Sequence, residues 1–178
     1  MTKFTRMRTL LKPKRGKRFS LVNDHVTGDI LLIDNERLHV VMSDSKYEQE
    51  LNSEIIEKAH GDVLSLGFGI GFILQPLMKM DKVKTITIIE KEQEVLDLVA
   101  SQLVLNDKVR VILGDALNWT PDMPFDIIYE DCDYSSKEIT QAQLKYNQSD
   151  NSIRLAPWLK PDGEFIRFGE PKKEGFYV

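Results

Sequence analysis

Short apolar runs alternate with amphipathic stretches along most of the chain, and this alternation predicts the secondary structure. From residue 62 onward, five largely apolar runs have the length of strands buried on both faces: 62–66, 85–89, 109–113, 125–129 and 164–168. The stretches between them predict helices over 72–80, 93–103 and 136–159, the last ended by Pro161-Asp162-Gly163. Such alternation is typical of an α/β protein with a Rossmann-like, mostly parallel sheet flanked by helices.

The region before residue 62 has a different pattern. Strand-like segments over 19–23 and 29–34 are joined through Thr27-Gly28, and a third covers 37–42. They predict a small N-terminal β-hairpin or meander. Ser45 and Glu48 have the spacing of a capping box, which predicts a helix over 46–59. The predicted domains are a basic arm (1–18), an N-terminal β-hairpin region (19–44) and a Rossmann-like domain (45–178).

Composition narrows the class of protein. The chain has 178 residues, of which 42% are hydrophobic, as expected for one globular domain. No stretch approaches the roughly 20 apolar residues of a membrane span, and the N-terminus shows no secretory signal. Cys132 is the single cysteine. These features favour a cytoplasmic protein. The three histidines are scattered, so no metal site is expected.

Charge is distributed unevenly. Residues 1–18 contain eight basic and no acidic residues and therefore carry a charge of +8. Because the net charge of the whole chain is −4, residues 19–178 carry −12. The basic residues are Lys3, Arg6, Arg8, Lys12, Lys14, Arg15, Lys17 and Arg18. A basic arm on an acidic body could contact nucleic acid or another anionic surface. We favour the alternative that it is a solvated tail or docks on its own acidic body.

The candidate site residues follow the predicted strands, where open parallel sheets bind ligands. Gly67, Gly69 and Gly71 form a G-x-G-x-G loop between a strand and a helix, which lets a ligand approach the backbone. Glu90 ends the next strand, 19 residues beyond Gly71, and can accept hydrogen bonds from ribose hydroxyls. The spacing differs from the dinucleotide fingerprint G-x-G-x-x-G, and no Walker lysine follows. A nucleoside without a pyrophosphate fits better.

Two further acidic segments end the third and fourth strands. Asp115, followed by Ala116, is placed to accept a hydrogen bond from an adenine amine. Glu130, Asp131 and Asp133 crowd the expected reaction edge. A cationic substrate would neutralise such a cluster. The alternative is a solvated acidic turn that caps the next helix.

The serial motifs DVLSLGFGIGF, TIIEKEQEVLDLV, VRVILGDALNW, FDIIYEDCDY and LKPDGEF resemble those of class I S-adenosylmethionine-dependent methyltransferases, over residues 62–168. Within that superfamily, MSDSKYEQEL, VLSLGFGI and FDIIYEDCDYSSKE are similar to guanidinoacetate and arginine methyltransferases. The resemblance implies S-adenosylmethionine as cofactor, with Gly67, Gly69, Gly71, Glu90, Asp115, Ala116 and Asp131 binding it. It also implies that Asp44 and Asp131 hold a guanidinium group, which suits bidentate carboxylate pairing, with Asp133 assisting.

A second resemblance is to spermidine synthases, carried by TGDILLIDNERLHVVMSDSKYEQEL. Ile70 stands where their loop aspartate belongs, and DCDYSS replaces their DSSDP-like motif. The function predicted first is therefore methyl transfer to a small cationic amine or guanidine. The alternatives are aminopropyl transfer and a non-catalytic nucleoside-binding or interaction protein. Only residues 171–178 follow the fifth strand, so we expect a truncated sheet whose open edge favours a homodimer.

Overall fold

The computed structural model describes residues 4–132 and 151–169, which form two β-sheets and the helices that pack on them. In the first sheet, β1 (Lys14–Arg15), β2 (Phe19–Asn23), β3 (Ile30–Asp34) and β4 (His39–Ser43) are antiparallel neighbours in chain order. The predicted N-terminal hairpin region is confirmed. The predicted basic arm contributes β1 to the same sheet, so the boundary drawn at residue 18 falls inside one structural unit.

Two short helices, α1 (Lys46–Leu51) and α2 (Ser53–Lys58), replace the single helix predicted over 46–59. The break lies at Asn52, whose side chain is fully buried. Its amide nitrogen donates to the carbonyl oxygen of Glu48 at 2.8 Å, and its amide oxygen accepts from the hydroxyl of Tyr129 at 2.7 Å. A buried side chain that bonds both its own helix and the neighbouring sheet is a tertiary feature, which helical periodicity does not reveal.

The second sheet is parallel and has the strand order β7-β6-β5-β8-β9. Its strands are β5 (Gly61–Leu66), β6 (Val83–Glu90), β7 (Val109–Leu113), β8 (Phe125–Glu130) and β9 (Leu159–Arg167). The Rossmann-like fold predicted from the alternation of strands and helices is therefore confirmed. The order reverses beside β5, which places the switch point between β5 and β8, where such sheets bind ligands.

The predicted end of the last helix and start of the last strand are wrong. Pro161, Asp162 and Gly163 lie inside β9, which begins at Leu159 and pairs with β8 through a register shift. A Cβ on Gly163 would lie only 3.0 Å from three backbone carbonyl oxygens, so glycine permits the close approach of the two strands there. The prediction failed because proline, aspartate and glycine are typical both of a bulge in a strand and of the end of a helix.

Helices pack on both faces of the parallel sheet. α3 (Leu74–Met78) and α4 (Gln93–Leu98) are shorter than predicted, and α4 continues into a 3-10 turn over Ala100–Gln102. Together with α2 they belong to the larger core, which includes Tyr129 of β8. On the opposite face, residues 151–155 are helical and pack in a smaller core around Leu155. Within the described residues, no helix has the length and apolar character to cross a membrane. The predicted helical residues 136–150 and the tail 171–178 lie outside the described residues.

Candidate active site

The glycine loop follows β5 at the carboxyl end of the parallel sheet. Gly67 has φ +104°, and a Cβ there would overlap the carbonyl oxygen of Asp131, which follows β8. The Asp131 N–H donates to the carbonyl oxygen of Leu66 at 3.0 Å. The left-handed conformation and this close approach both require glycine. The structure therefore brings the first strand's loop and the fourth strand's acid together, as predicted.

The other two glycines pack against the protein itself. Gly69 and Gly71 have φ of +53° and +69°, and Cβ atoms there would overlap side-chain atoms of Met42 and Leu103. The sulfur of Met42 also accepts a hydrogen bond from the Ile70 N–H at 3.4 Å. Met42 begins the buried part of β4, which ends at Ser43. The N-terminal sheet therefore covers one side of the loop, a contact that the sequence pattern did not indicate.

Glu90 lies at the end of β6 beside the glycine loop. Its two carboxylate oxygens accept hydrogen bonds from the Phe68 N–H at 3.0 Å and the Glu92 N–H at 2.8 Å. Burial raises the pKa of Glu90, and these backbone hydrogen bonds partly offset the shift. Each carboxylate oxygen has a second lone pair, so Glu90 retains acceptor capacity for a vicinal diol. The same carboxylate also fixes the loop to β6.

Asp115 begins the loop after β7, where it organises its own backbone. Its oxygens accept from the Leu117 N–H at 3.0 Å and the Asn118 side-chain amide at 3.1 Å. Ala116 is buried. Arg154 holds this loop from the opposite helix by donating to the carbonyl oxygens of Ala116 and, at 2.6 Å, Trp119. No sequence motif marks Arg154 for this role.

The acids that end β8 do not form one cluster. Glu130 is buried, and its two oxygens pair with the Asn151 amide and the Arg167 guanidinium, each at 3.0 Å. Successive strand residues point to opposite faces, which turns Glu130 away from the side of Tyr129 and Asp131. Glu130 is thus neutralised within the protein. Asp133 lies outside the described residues.

Asp131 lies near another acid, Glu48, which the sequence indicated only as a capping-box residue. Burial, and after it the charge of Glu48, raises the pKa of Asp131 to about 7. Burial also raises the pKa of Glu48, with an opposing hydrogen bond from Ser43, and one Glu48 carboxylate oxygen is buried without a hydrogen-bond partner. Only half of the predicted capping box forms, because Ser45 accepts from the Glu48 N–H while its own N–H donates to the Ser43 hydroxyl.

Asp44 does not take the substrate-facing position that the resemblance implied. Its side chain is fully buried, and its oxygens accept from the Met7 N–H at 2.7 Å and the Ile30 N–H at 2.8 Å. The Arg6 guanidinium lies 3.5 Å away. A carboxylate occupied by two backbone donors and an arginine anchors the N-terminal segment to β3. No motif could reveal this, because the partners lie 37 and 14 residues away.

Within residues 4–132 and 151–169, no group of acidic, cysteine and histidine side chains could hold a metal ion. The described site is built from carboxylates and backbone groups. Its members come from the ends of β5, β6, β7 and β8 and from α1.

Comparison with known proteins agrees with this architecture. No protein-family model matches the chain, and no curated protein sequence matches it. Solved structures do match. Spermidine synthase from Thermotoga maritima is 14% identical and superposes with a TM-score of 0.65 over 88% of this chain and 55% of that chain.

Two methyltransferases match a smaller part of the chain. The glycopeptide N-methyltransferase MtfA, complexed with S-adenosyl-L-methionine, gives a TM-score of 0.51 at 20% identity, over 67% of this chain and 48% of that chain. CalS10, an amino pentose methyltransferase from Micromonospora echinaspora, gives 0.52 at 15% identity, over 70% and 51%. The chain thus spans about half the length of these structures. At such identities the likeness establishes the fold, which is the Rossmann-like fold shared by S-adenosylmethionine-dependent methyltransferases and spermidine synthases.

Proposed function

We propose that the protein binds S-adenosylmethionine and transfers its methyl group to a small cationic amine or guanidine. The observation that carries this proposal is the Asp131–Glu48 acid pair, which lies beside the glycine loop at the switch point of the sheet. Burial raises the pKa of both carboxyl groups, the Glu48 charge raises that of Asp131 further, and a bound cation would stabilise their ionised forms. The sulfonium of the cofactor and a cationic acceptor both meet that requirement.

The residues at the strand ends fit an adenosyl group. Glu90 retains lone pairs for the ribose hydroxyls, and Asp115 stands on the loop that would face adenine, supported by Arg154. Gly67 allows the backbone at the ends of β5 and β8 to approach closely, which shapes the edge of the site. When bound, the cofactor supplies an activated methyl group. MtfA, which shares this fold, was crystallised with S-adenosyl-L-methionine, and this supports the assignment.

The chain's own contribution to methyl transfer is alignment and proton acceptance. Methyl transfer, with S-adenosylhomocysteine as the other product, would require the acceptor nitrogen to be held in position and to lose a proton. The Asp131 carboxylate orients the nitrogen and accepts that proton, which its raised pKa favours. Glu48 adds a second negative charge that attracts the cationic acceptor.

Aminopropyl transfer remains the second candidate because of the extent of one structural match. Spermidine synthase matches 88% of this chain, whereas the two methyltransferases match 67% and 70%. A match of that extent has to include residues of the N-terminal sheet. Ile70 argues against aminopropyl transfer, because it occupies the place of the loop aspartate of spermidine synthases. If the protein transfers an aminopropyl group, Asp131 and Glu48 would bind the diamine acceptor.

Calorimetric titration with S-adenosylmethionine, S-adenosylhomocysteine and decarboxylated S-adenosylmethionine separates these functions. We expect the first two to bind and Glu90→Gln to weaken them about tenfold or more, since a charge-assisted hydrogen bond contributes about 1.5–3 kcal/mol. Glu57→Gln, an exposed substitution on α2, serves as the matched control and should leave binding unchanged. Preference for the decarboxylated form would favour aminopropyl transfer. Absence of binding to all three would refute the cofactor assignment.

A further inference from the structure

Seven of the eight basic residues of the N-terminal segment lie within the described residues, and they fall into two groups. Arg6 pairs with Asp29 at 2.7 Å, and Arg18 pairs with Asp34 at 3.2 Å and Glu92 at 2.7 Å. These two arginines are neutralised by the acidic body. Lys3 lies outside the described residues.

The remaining five basic residues form what we call the basic strip: Arg8, Lys12, Lys14, Arg15 and Lys17, all of which are exposed. Among the described residues, none of their side chains lies within ion-pair distance of a carboxylate. Two of them donate only to carbonyl oxygens, Arg8 to Gly28 and Lys14 to Asp97. Carbonyl groups carry no net charge, so these hydrogen bonds leave the charges of Arg8 and Lys14 uncompensated, while Lys17 interacts electrostatically with the Glu94 carboxylate.

The backbone that carries the basic strip is fixed to the body. The Lys12 N–H donates to the Gln102 side chain at 2.9 Å, and β1 pairs with β2. Glu94 of α4 accepts hydrogen bonds from the backbone N–H groups of Lys17, Arg18 and Phe19. A partner therefore meets charges on an already ordered backbone, which lowers the entropy lost on binding. The same contacts turn the nearest acid, Glu94, toward the backbone.

We propose that the basic strip is a binding surface for the phosphate backbone of a nucleic acid. Five exposed lysine and arginine charges within ten residues, on a protein whose remainder is acidic, attract a polyanion to this segment. The apolar residues of the segment argue against a membrane, because Met7 and Leu11 are buried in the protein core and only Leu10, at 38% exposure, faces outward. The segment thus presents charge without apolar side chains that could enter a bilayer.

The test is fluorescence anisotropy of a fluorescein-labelled mixed-sequence DNA duplex, titrated with the full chain between 50 and roughly 200 mM salt. We expect binding in the range of about 1–100 µM and a salt slope of about −4, from about −0.9 per neutralised phosphate. Lys12→Glu with Arg15→Glu should weaken binding at least about tenfold and make the slope shallower by about 2. The control variant, Lys82→Glu with Lys84→Glu, changes the net charge by the same amount at the start of β6, outside the basic strip. It should change the affinity less than about threefold.

Three outcomes of this experiment would contradict the proposal. If the wild-type chain shows no salt-dependent binding to the duplex, the proposal is overturned whatever the variants do. Equal weakening by the two double variants shows that net charge alone acts. Binding to polyglutamate or to phosphatidylserine vesicles as tight as to the duplex would assign the surface to another anionic partner. If circular dichroism shows that the first double variant is unfolded, Lys12→Gln with Lys17→Gln repeats the comparison without charge reversal.

Discussion

Asp131 is the residue whose environment departs furthest from that of an ordinary surface acid. It directly follows β8, its backbone is held by Leu66, and Glu48 approaches it from α1. Its pKa of about 7 places its proton equilibrium at neutral pH, where a group that accepts a proton from an amine is most useful. The same environment has a consequence for stability that does not depend on any ligand.

Stability should fall as pH rises toward 8 because of Asp131. The folded state holds this proton more tightly than the unfolded chain, so the folded protein binds more protons between the ordinary aspartate pKa of about 4 and about 7. The free energy of unfolding then decreases through that window, by about 4 kcal/mol for a difference of about three pKa units. Asp131→Asn should remove most of this decrease in urea unfolding measured from pH 5 to 8. Asp107→Asn, an exposed acid, is the control, and parallel curves for the two variants would contradict the assignment.

At the scale of elements, β8 and the two short helices before β5 meet at one buried hydrogen bond. The Tyr129 hydroxyl donates to the amide oxygen of Asn52, which lies where α1 ends and α2 begins. α1 carries Glu48, so this bond sets the position of Glu48 against the end of β8. The geometry of the acid pair is therefore a property of the junction rather than of either residue.

Tyr129→Phe should destabilise the protein by about 1–3 kcal/mol, because the amide oxygen of Asn52 is left buried without its donor. Chemical denaturation measures the change in the free energy of unfolding. Tyr47→Phe removes a hydroxyl from a side chain that is 67% exposed and should have almost no effect. Equal stability of the two variants would show that the hydroxyl contributes nothing at the junction.

At the scale of the whole molecule, residues 4–18 connect the two sheets. Phe4 stacks on Phe72 with ring centroids 4.5 Å apart, beside the glycine loop, while Met7 and Leu11 are buried in the main core. Gln102 and Glu94 bind the segment from the parallel-sheet side. The alternative that this segment docks on its own acidic body agrees with these contacts.

Asp44→Asn should loosen this docking. The substitution removes the charge that faces Arg6 and replaces one acceptor with a donor, so a buried backbone N–H of Met7 or Ile30 loses its partner. We expect a loss of about 3 kcal/mol in the free energy of unfolding and faster tryptic cleavage after Arg8 and Lys14. Asp107→Asn again serves as the control. Unchanged cleavage rates would show that the carboxylate does not hold the segment.

The sequence by itself determined the elements of the parallel sheet and the residues at its carboxyl edge. Strand runs such as 109–113 were read to the residue, because strands buried on both faces are continuous apolar segments. Gly67, Glu90 and Asp131 were found for the same reason, since they directly follow such runs. The basic arm was also recognised, because charge counts need no structure.

Only the tertiary structure decided which polar groups meet across long sequence separations. Asp44 was expected at the reaction edge, yet backbone donors of Met7 and Ile30 occupy it. Glu48 was a capping residue by pattern, yet it faces Asp131. Local spacing sets the backbone, because helix and strand periodicity are local properties. The partner of a buried carboxylate depends on packing between elements, which no local pattern encodes.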